Sequence, residues 1–168
     1  MESTILEVDR VGRVLNTWDL SAIFRQTMTD AGDVANMNTF VRNGDDWFHS
    51  NAAAYWRDKD TLVVSSRENF VVGVGYTDKK IKWILGDPKK FWYTCPSLRA
   101  LALTLAPSTR PPIGQHSVSI TANGDLLLFD NGLGSFNQAS GVYLSCVKQV
   151  HRCTYLLVLT FRGTQALV

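Results

Sequence analysis

The sequence predicts an all-β protein, a β-propeller assembled from four-stranded antiparallel blades. Short runs rich in Val, Ile, Leu, Phe and Tyr alternate with clusters of Gly, Asp and Asn, and few segments hold a helical period. Two stretches echo each other: residues 7–14 followed by Trp18, and residues 75–82 followed by Trp83. Each reads as strand, polar turn, strand and tryptophan, and such a tryptophan suits the wedge between stacked blades. A second echo involves histidines. His49-Ser50-Asn51-Ala52-Ala53-Ala54-Tyr55 precedes the strand at 62–65, and His116-Ser117-Val118-Ser119-Ile120-Thr121-Ala122 precedes the strand at 126–129. In a repeat architecture equivalent positions occupy equivalent places, so the two imidazoles are expected to converge on one pocket.

Strands are expected at 4–8 and 13–18, followed by a helix over 20–32 with Asp19 or Ser21 as N-cap. Four more follow at 51–56, 61–66, 70–76 and 80–85, then pairs at 117–121 and 125–130 and at 142–148 and 154–161. Asp125, Asp130 and Asn131 mark the turns that bracket one of these strands, with Asn131 a secondary candidate for lining a pocket. His49 and His116 stand 67 residues apart, more than the roughly 40–50 of a compact blade. The excess falls at 87–115, which holds all five prolines of the chain and cannot be sheet throughout. This segment reads as an inserted lid or substrate-binding loop, with a short helix over 97–103 after Pro96. At the usual repeat length the chain supplies only about three to four blades. The ring is therefore expected to be incomplete, its open edges paired with a second copy or with neighbouring sequence.

Composition narrows the function. A 45% hydrophobic, 19% charged chain of 168 residues has the material for a core. Its net charge of +2 comes from 17 basic and 15 acidic side chains without a basic run, so nucleic acid is not expected as a partner. The longest apolar stretch, 155–159, is far too short to span a bilayer, and the acidic first residues do not resemble an export signal. Cys95, Cys146 and Cys153 show no CxxC spacing and suggest no zinc site, and Asp45-Asp46 lacks the further oxygen ligands of a calcium loop, so no metal or cofactor is expected.

His49, Asn51 and Arg67 together supply an imidazole, an amide donor and a guanidinium fork, a set that fits a tetrahedral oxyanion such as sulfate. His49 and Asn51 share one side of an extended segment, and Arg67 returns from the end of the next strand. The same residues would also serve as hydrogen-bonded turn residues and a surface charge. His116, preceded by Gly114 and Gln115, offers a neutral imidazole nucleophile or a structural side chain. His151 has no such echo.

These residues fall in motifs that resemble the aryl-sulfate sulfotransferase family. The matching segments run in the family's order: Asp46 to Asn51, Asp60 to Arg67, Ile81 to Gly86, Gly114-Gln115-His116, and Leu127 to Gly132, within roughly 5–138. The resemblance implies a six-bladed propeller that moves a sulfuryl group from a phenolic sulfate ester to an acceptor phenol through a sulfohistidine, without a nucleotide donor. It implies His116 as nucleophile and His49, Asn51 and Arg67 as the group that holds the sulfate. Trp47, Trp92 and Tyr93 are expected as apolar walls for the phenol ring or as core aromatics. A further family histidine from an earlier blade has no counterpart, because His49 is the first histidine of the chain. Family members are commonly exported, which the first residues here do not reflect. Residues 1–140 are thus expected to form a partial propeller and 141–168 a divergent tail, where Cys146 and Cys153 are available to pair. The alternative reading is a non-catalytic, truncated propeller that serves as a binding or interaction module.

Overall fold

A computed structural model describes residues 3–34, 47–67, 69–107 and 109–130, and the backbone alone of 155–162 and 165–167. The described chain is mostly β, in three sheets. A hairpin comprises β1 (Thr4–Val8) and β2 (Val14–Asp19) and leads into helix α1 (Leu20–Asp30). Asp19 caps α1: its carboxylate accepts from the Ala22 N–H at 3.0 Å, which satisfies one donor of the open first turn. Leu20, Phe24 and Met28 recur on one face and are fully buried.

The centre of the fold is an antiparallel meander, β3 (Ser50–Trp56), β4 (Thr61–Ser66), β5 (Phe70–Gly75) and β6 (Ile81–Gly86), hydrogen-bonded in chain order. Every residue of β4 and β5 is buried, because the sheet is covered on both faces. On one face Leu62, Val64, Phe70, Val72 and Ile84 pack against α1, Trp18 and Trp92. On the other, Trp56, Val63, Val71 and Leu85 meet Val118, Leu126 and Leu128 of the next sheet. Tyr76 ties the first hairpin to the meander by donating to the Glu7 carboxylate and packing 5.1 Å from Trp18 and 4.3 Å from Tyr55.

Gly73 of β5 pairs with Trp83 of β6, and the indole lies across it: a Cβ at Gly73 would sit 2.3 Å from Trp83 Cε2. The ladder then slips, leaving Lys82 as an extra, bulged residue between Trp83 and Ile81. Its ammonium turns back to donate to the carbonyls of Lys59 and Asp60, at 2.9 and 2.8 Å.

The 87–115 segment holds a 3-10 turn at Phe91–Thr94, helix α2 (Pro96–Arg99) and the two-residue strand β7 (Thr104–Leu105). Pro96 opens α2 at a position where no N–H is needed, but the helix stops at Arg99, well short of the expected 103. From there the chain straightens: Leu103 donates to the Ile84 carbonyl and Ile84 to that of Leu101, so the segment runs along the outer edge of β6. The Asp33 carboxylate accepts from the N–H and hydroxyl of Ser97 and so joins the end of α1 to α2.

The third sheet has the order β7, β11 (Gln165–Leu167), β10 (Tyr155–Arg162), β9 (Leu126–Asp130) and β8 (His116–Ile120). β10 pairs antiparallel with β9 and β11 pairs parallel with β7, so backbone beyond residue 140 joins this sheet. The expected strand at 142–148 lies outside the described residues, as do Asp45, Asp46, Asn131, Cys146, His151 and Cys153. The all-β expectation and the four-stranded antiparallel unit are therefore observed among the described residues, where no sheet closes on itself.

Candidate functional site

Where β3 begins and β4 ends, the meander meets the start of β8, and both histidine segments depart there from regular strand. His49 adopts φ 51°, in the left-handed region, which costs a non-glycine residue roughly 1 kcal/mol. Its carbonyl accepts from the Arg67 N–H at 3.2 Å. Ser50 then pairs with Ser66 and Ala52 with Ser65, which leaves Asn51 as the bulged extra residue. In β8, His116 pairs with Phe129 and the next pair is Ser119 with Leu127, so Ser117 and Val118 oppose the single Leu128. Ser117 has φ 57°. Each histidine segment thus combines a bulge with a left-handed residue, His49 itself in the first and Ser117 in the second, a device that re-aims side chains at the rim of a sheet.

Gln115 locks the two segments together. Its carbonyl accepts from Asn51 Nδ2 at 2.9 Å and from Ser65 Oγ at 3.1 Å. Its side-chain Nε2 donates to the carbonyls of Ser66 at 2.8 Å and Phe70 at 3.0 Å. Ser66 Oγ donates to the Phe48 carbonyl, and Asn69 Nδ2 donates to that of Trp47 at 2.8 Å. Buried polar groups need such partners, and here they join 47–51, 65–70 and 115. His116 Nδ1 lies 2.9 Å from Ser117 Oγ, and its ring packs on Phe129 with centroids 4.7 Å apart. Ile113 donates to Asp130 Oδ1 at 2.9 Å, which ties the approach to His116 to the end of β9.

The structure thus brings His49, Asn51 and Arg67 of the meander to one end of the sheet, and joins Asn51 to the carbonyl immediately before His116. His49, Arg67 and His116 are all partly exposed there. Trp47 and Trp92 lie elsewhere: they are 4% and 1% exposed, in the cluster on the α1 face, opposite the face on which β8 packs. Trp47 stands 4.9 Å from Phe48, and Trp92 stands 5.7 Å from Phe70 and 5.3 Å from the partly exposed Tyr93. Nothing local in the sequence marks Gln115 or Ser65, because their partners are 45 to 64 residues away.

Titration behaviour is perturbed away from this end. Hydrogen bonds from the Ser97 hydroxyl and N–H hold the Asp33 carboxyl below its ordinary 3.8, and burial pushes the Cys95 thiol up. Among the described residues no cluster of three His, Cys, Asp or Glu has metal-ligand geometry, and no helix is long and apolar enough to cross a membrane. At the opposite end of the meander a cleft of about 630 Å³ is lined by Trp56, Lys59, Lys82, Trp83 and Asn123, among others.

Comparison with known proteins bears on the same segments. The family model described as arylsulfotransferase (ASST) matches residues 1–149. The arylsulfate sulfotransferase AssT of Escherichia coli O6:H1 (strain CFT073) is 30% identical over 171 residues, covering 77% of this chain and 28% of that protein. The arylsulfate sulfotransferase AssT of Lelliottia amnigena is 30% identical over 173 residues, with the same coverage. The chain therefore spans little more than a quarter of the length of these relatives.

Proposed function

The chain belongs to the arylsulfotransferase family, and from that premise we propose that it transfers a sulfuryl group from a phenolic sulfate ester to an acceptor phenol through a sulfated His116. The observation that carries this reading is the hydrogen bond from Asn51 to the Gln115 carbonyl, which fixes the His116 segment beside the bulge that follows His49. A propeller blade is the natural reading of the four-stranded meander, with β8 and β9 belonging to the next blade.

In the first half-reaction the imidazole attacks the ester sulfur. In the tautomer whose Nδ1–H donates to Ser117 Oγ, Nε2 carries the lone pair for attack. The N–S bond forms as the S–O bond to the aryl group breaks, and the phenolate departs and takes up a proton from solvent. In the second, an acceptor phenol gives up its proton to solvent, its oxygen attacks the same sulfur, and the N–S bond breaks to return neutral His116. Both transition states spread negative charge over the sulfuryl oxygens, where Arg67 and His49 supply fixed donors. Asn51 places one N–H on Gln115 and keeps a second for the sulfate.

Release of 4-nitrophenolate from 4-nitrophenyl sulfate in the presence of phenol tests the proposal, with an acid-labile sulfuryl label on His116 as its signature. Transfer by a His116→Asn protein at the parent rate would remove His116 from the mechanism. Tight binding of the ester without turnover would favour a binding module instead.

A further inference from the structure

We infer that Gln115 is a positioning residue that sets the attack geometry of His116, an inference that rests on the sulfuryl-transfer reading above. Gln115 is 1% exposed, and both N–H groups of its amide are spent on the carbonyls of Ser66 and Phe70, the paired residues that close the β4–β5 hairpin. Its own carbonyl accepts from β3 through Asn51 and from β4 through Ser65. One residue therefore holds three strands of the meander by four hydrogen bonds, and its two chain neighbours are special. Gly114 on one side has φ 67°, a turn that commits the chain to the left-handed region. His116 on the other side opens the bulged strand.

The chemistry of the amide is specific. Two carbonyl oxygens need two donors, which an amide provides and a carboxylate does not. Gln115 is bonded to Asn51 itself and to Ser66, which directly precedes Arg67, so it touches or adjoins two of the three groups proposed to hold the sulfate, with His49 two residues before Asn51. A displacement of about 1 Å in such an arrangement costs roughly 100-fold in rate. Among the described residues, the His116 ring meets only Ser117 on the same segment and Phe129 on the paired strand, neither of which belongs to the meander. The register of β8 against the meander therefore depends on Gln115.

Gln115→Met fills a similar volume without donors and tests this in the 168-residue chain, with Ser65→Ala as a milder second variant and Ser119→Ala on exposed β8 as control. Two readouts are taken: sulfuryl uptake by His116 from 4-nitrophenyl sulfate, and the His116 ring resonances in 1H–13C spectra. The expected result is an uptake rate about 100-fold lower in Gln115→Met, with KM changed less than about threefold and a smaller loss of the same kind in Ser65→Ala. The His116 resonance should shift or broaden in both variants and stay put in the control. Parent-like uptake in a folded Gln115→Met protein would overturn the inference. If the parent itself takes up no sulfuryl group, the transfer reading fails, and unchanged His116 resonances in both variants would then separately sink the positioning role. Should Gln115→Met not fold, the Ser65→Ala spectra and rate decide the matter alone.

Discussion

The two ends of the β3–β6 meander are built from the same strands and differ in how they meet the neighbouring sheet. At the end that holds His49 and Arg67, side chains of Asn51, Ser65 and Gln115 cross the gap to β8 and leave buried polar groups paired. At the other end a cleft remains between Trp56 and Trp83 and the β8–β9 turn, with Lys82 bound back to carbonyls of its own meander. The apolar cluster of Val63, Val71, Leu85, Val118, Leu126 and Leu128 holds the two sheets together between these ends. Hydrophobic burial is non-directional, so it brings the sheets into contact without fixing their register to better than a side chain. Hydrogen bonds add that direction, and they are concentrated where the proposed chemistry demands it.

Substitutions at the two ends should separate these contributions. The largest effect is expected from His116→Asn, which should reduce sulfuryl transfer to background with the far-ultraviolet circular dichroism unchanged. Next is Arg67→Ala: loss of one fixed donor to the developing sulfuryl charge should lower kcat by about 100- to 1000-fold, read in the same 4-nitrophenyl sulfate assay. Both effects belong to the cross-linked end. At the cleft end, Gly73→Ala places a methyl group against the Trp83 indole. Overpacking of this kind should cost about 1–3 kcal/mol of stability, seen as a lower Tm, while transfer per folded molecule is retained. A large loss of transfer there would mean that the ends are coupled more tightly than their bonding suggests.

A smaller effect concerns pH. The Asp33 carboxyl sits below its ordinary 3.8 because the Ser97 hydroxyl and N–H favour the ionised form. The folded state thus binds its proton less readily than the unfolded chain, so this contribution is fully present above about pH 4 and fades as the medium is acidified through the folded value. Asp33→Asn should lower Tm modestly at neutral pH, where the contribution is present, and the two Tm-against-pH curves should converge as the medium is acidified. The smallest effect is expected from Lys82→Ala, which removes two exposed hydrogen bonds far from His116 and should leave kcat unaltered; a change greater than about threefold would contradict the separation of the two ends.

The meander was legible in the sequence because its signals are local. Runs such as Leu62-Val63-Val64 and Val71-Val72 are bounded by turn residues, and the Asp19 cap announces α1. The expected helix limit at 32 fell two residues beyond the observed Asp30, where the chain turns through Gly32 at φ 78°. The echoing histidine segments lie at one end of the sheet, and their echo is deeper than side-chain identity. Both segments carry a bulge and a left-handed non-glycine residue, which no propensity announces at His49 or Ser117. Gln115 and the parallel pairing of β7 with β11 were invisible for another reason. Each depends on a partner far along the chain, and periodicity within a window of residues is blind to that. Trp47 and Trp92 show the converse problem: an aromatic looks the same in sequence whether it lines a pocket or fills a core, and here both are buried beneath α1.

Chain-order pairing in the meander has a consequence for biosynthesis. Within their own sheet β3 to β6 are hydrogen-bonded in chain order, so this ladder can assemble at the ribosome soon after residue 86 leaves the exit tunnel. The Gln115 bonds cannot form until some thirty residues later, and the pairing of β7 with β11 waits for residues 165–167. Nascent chains arrested just before and just after Gln115 clears the tunnel should therefore differ sharply in protease resistance around residues 49–51 and 65–70, because the end that holds His49 and Arg67 would be the last part of the meander to become rigid.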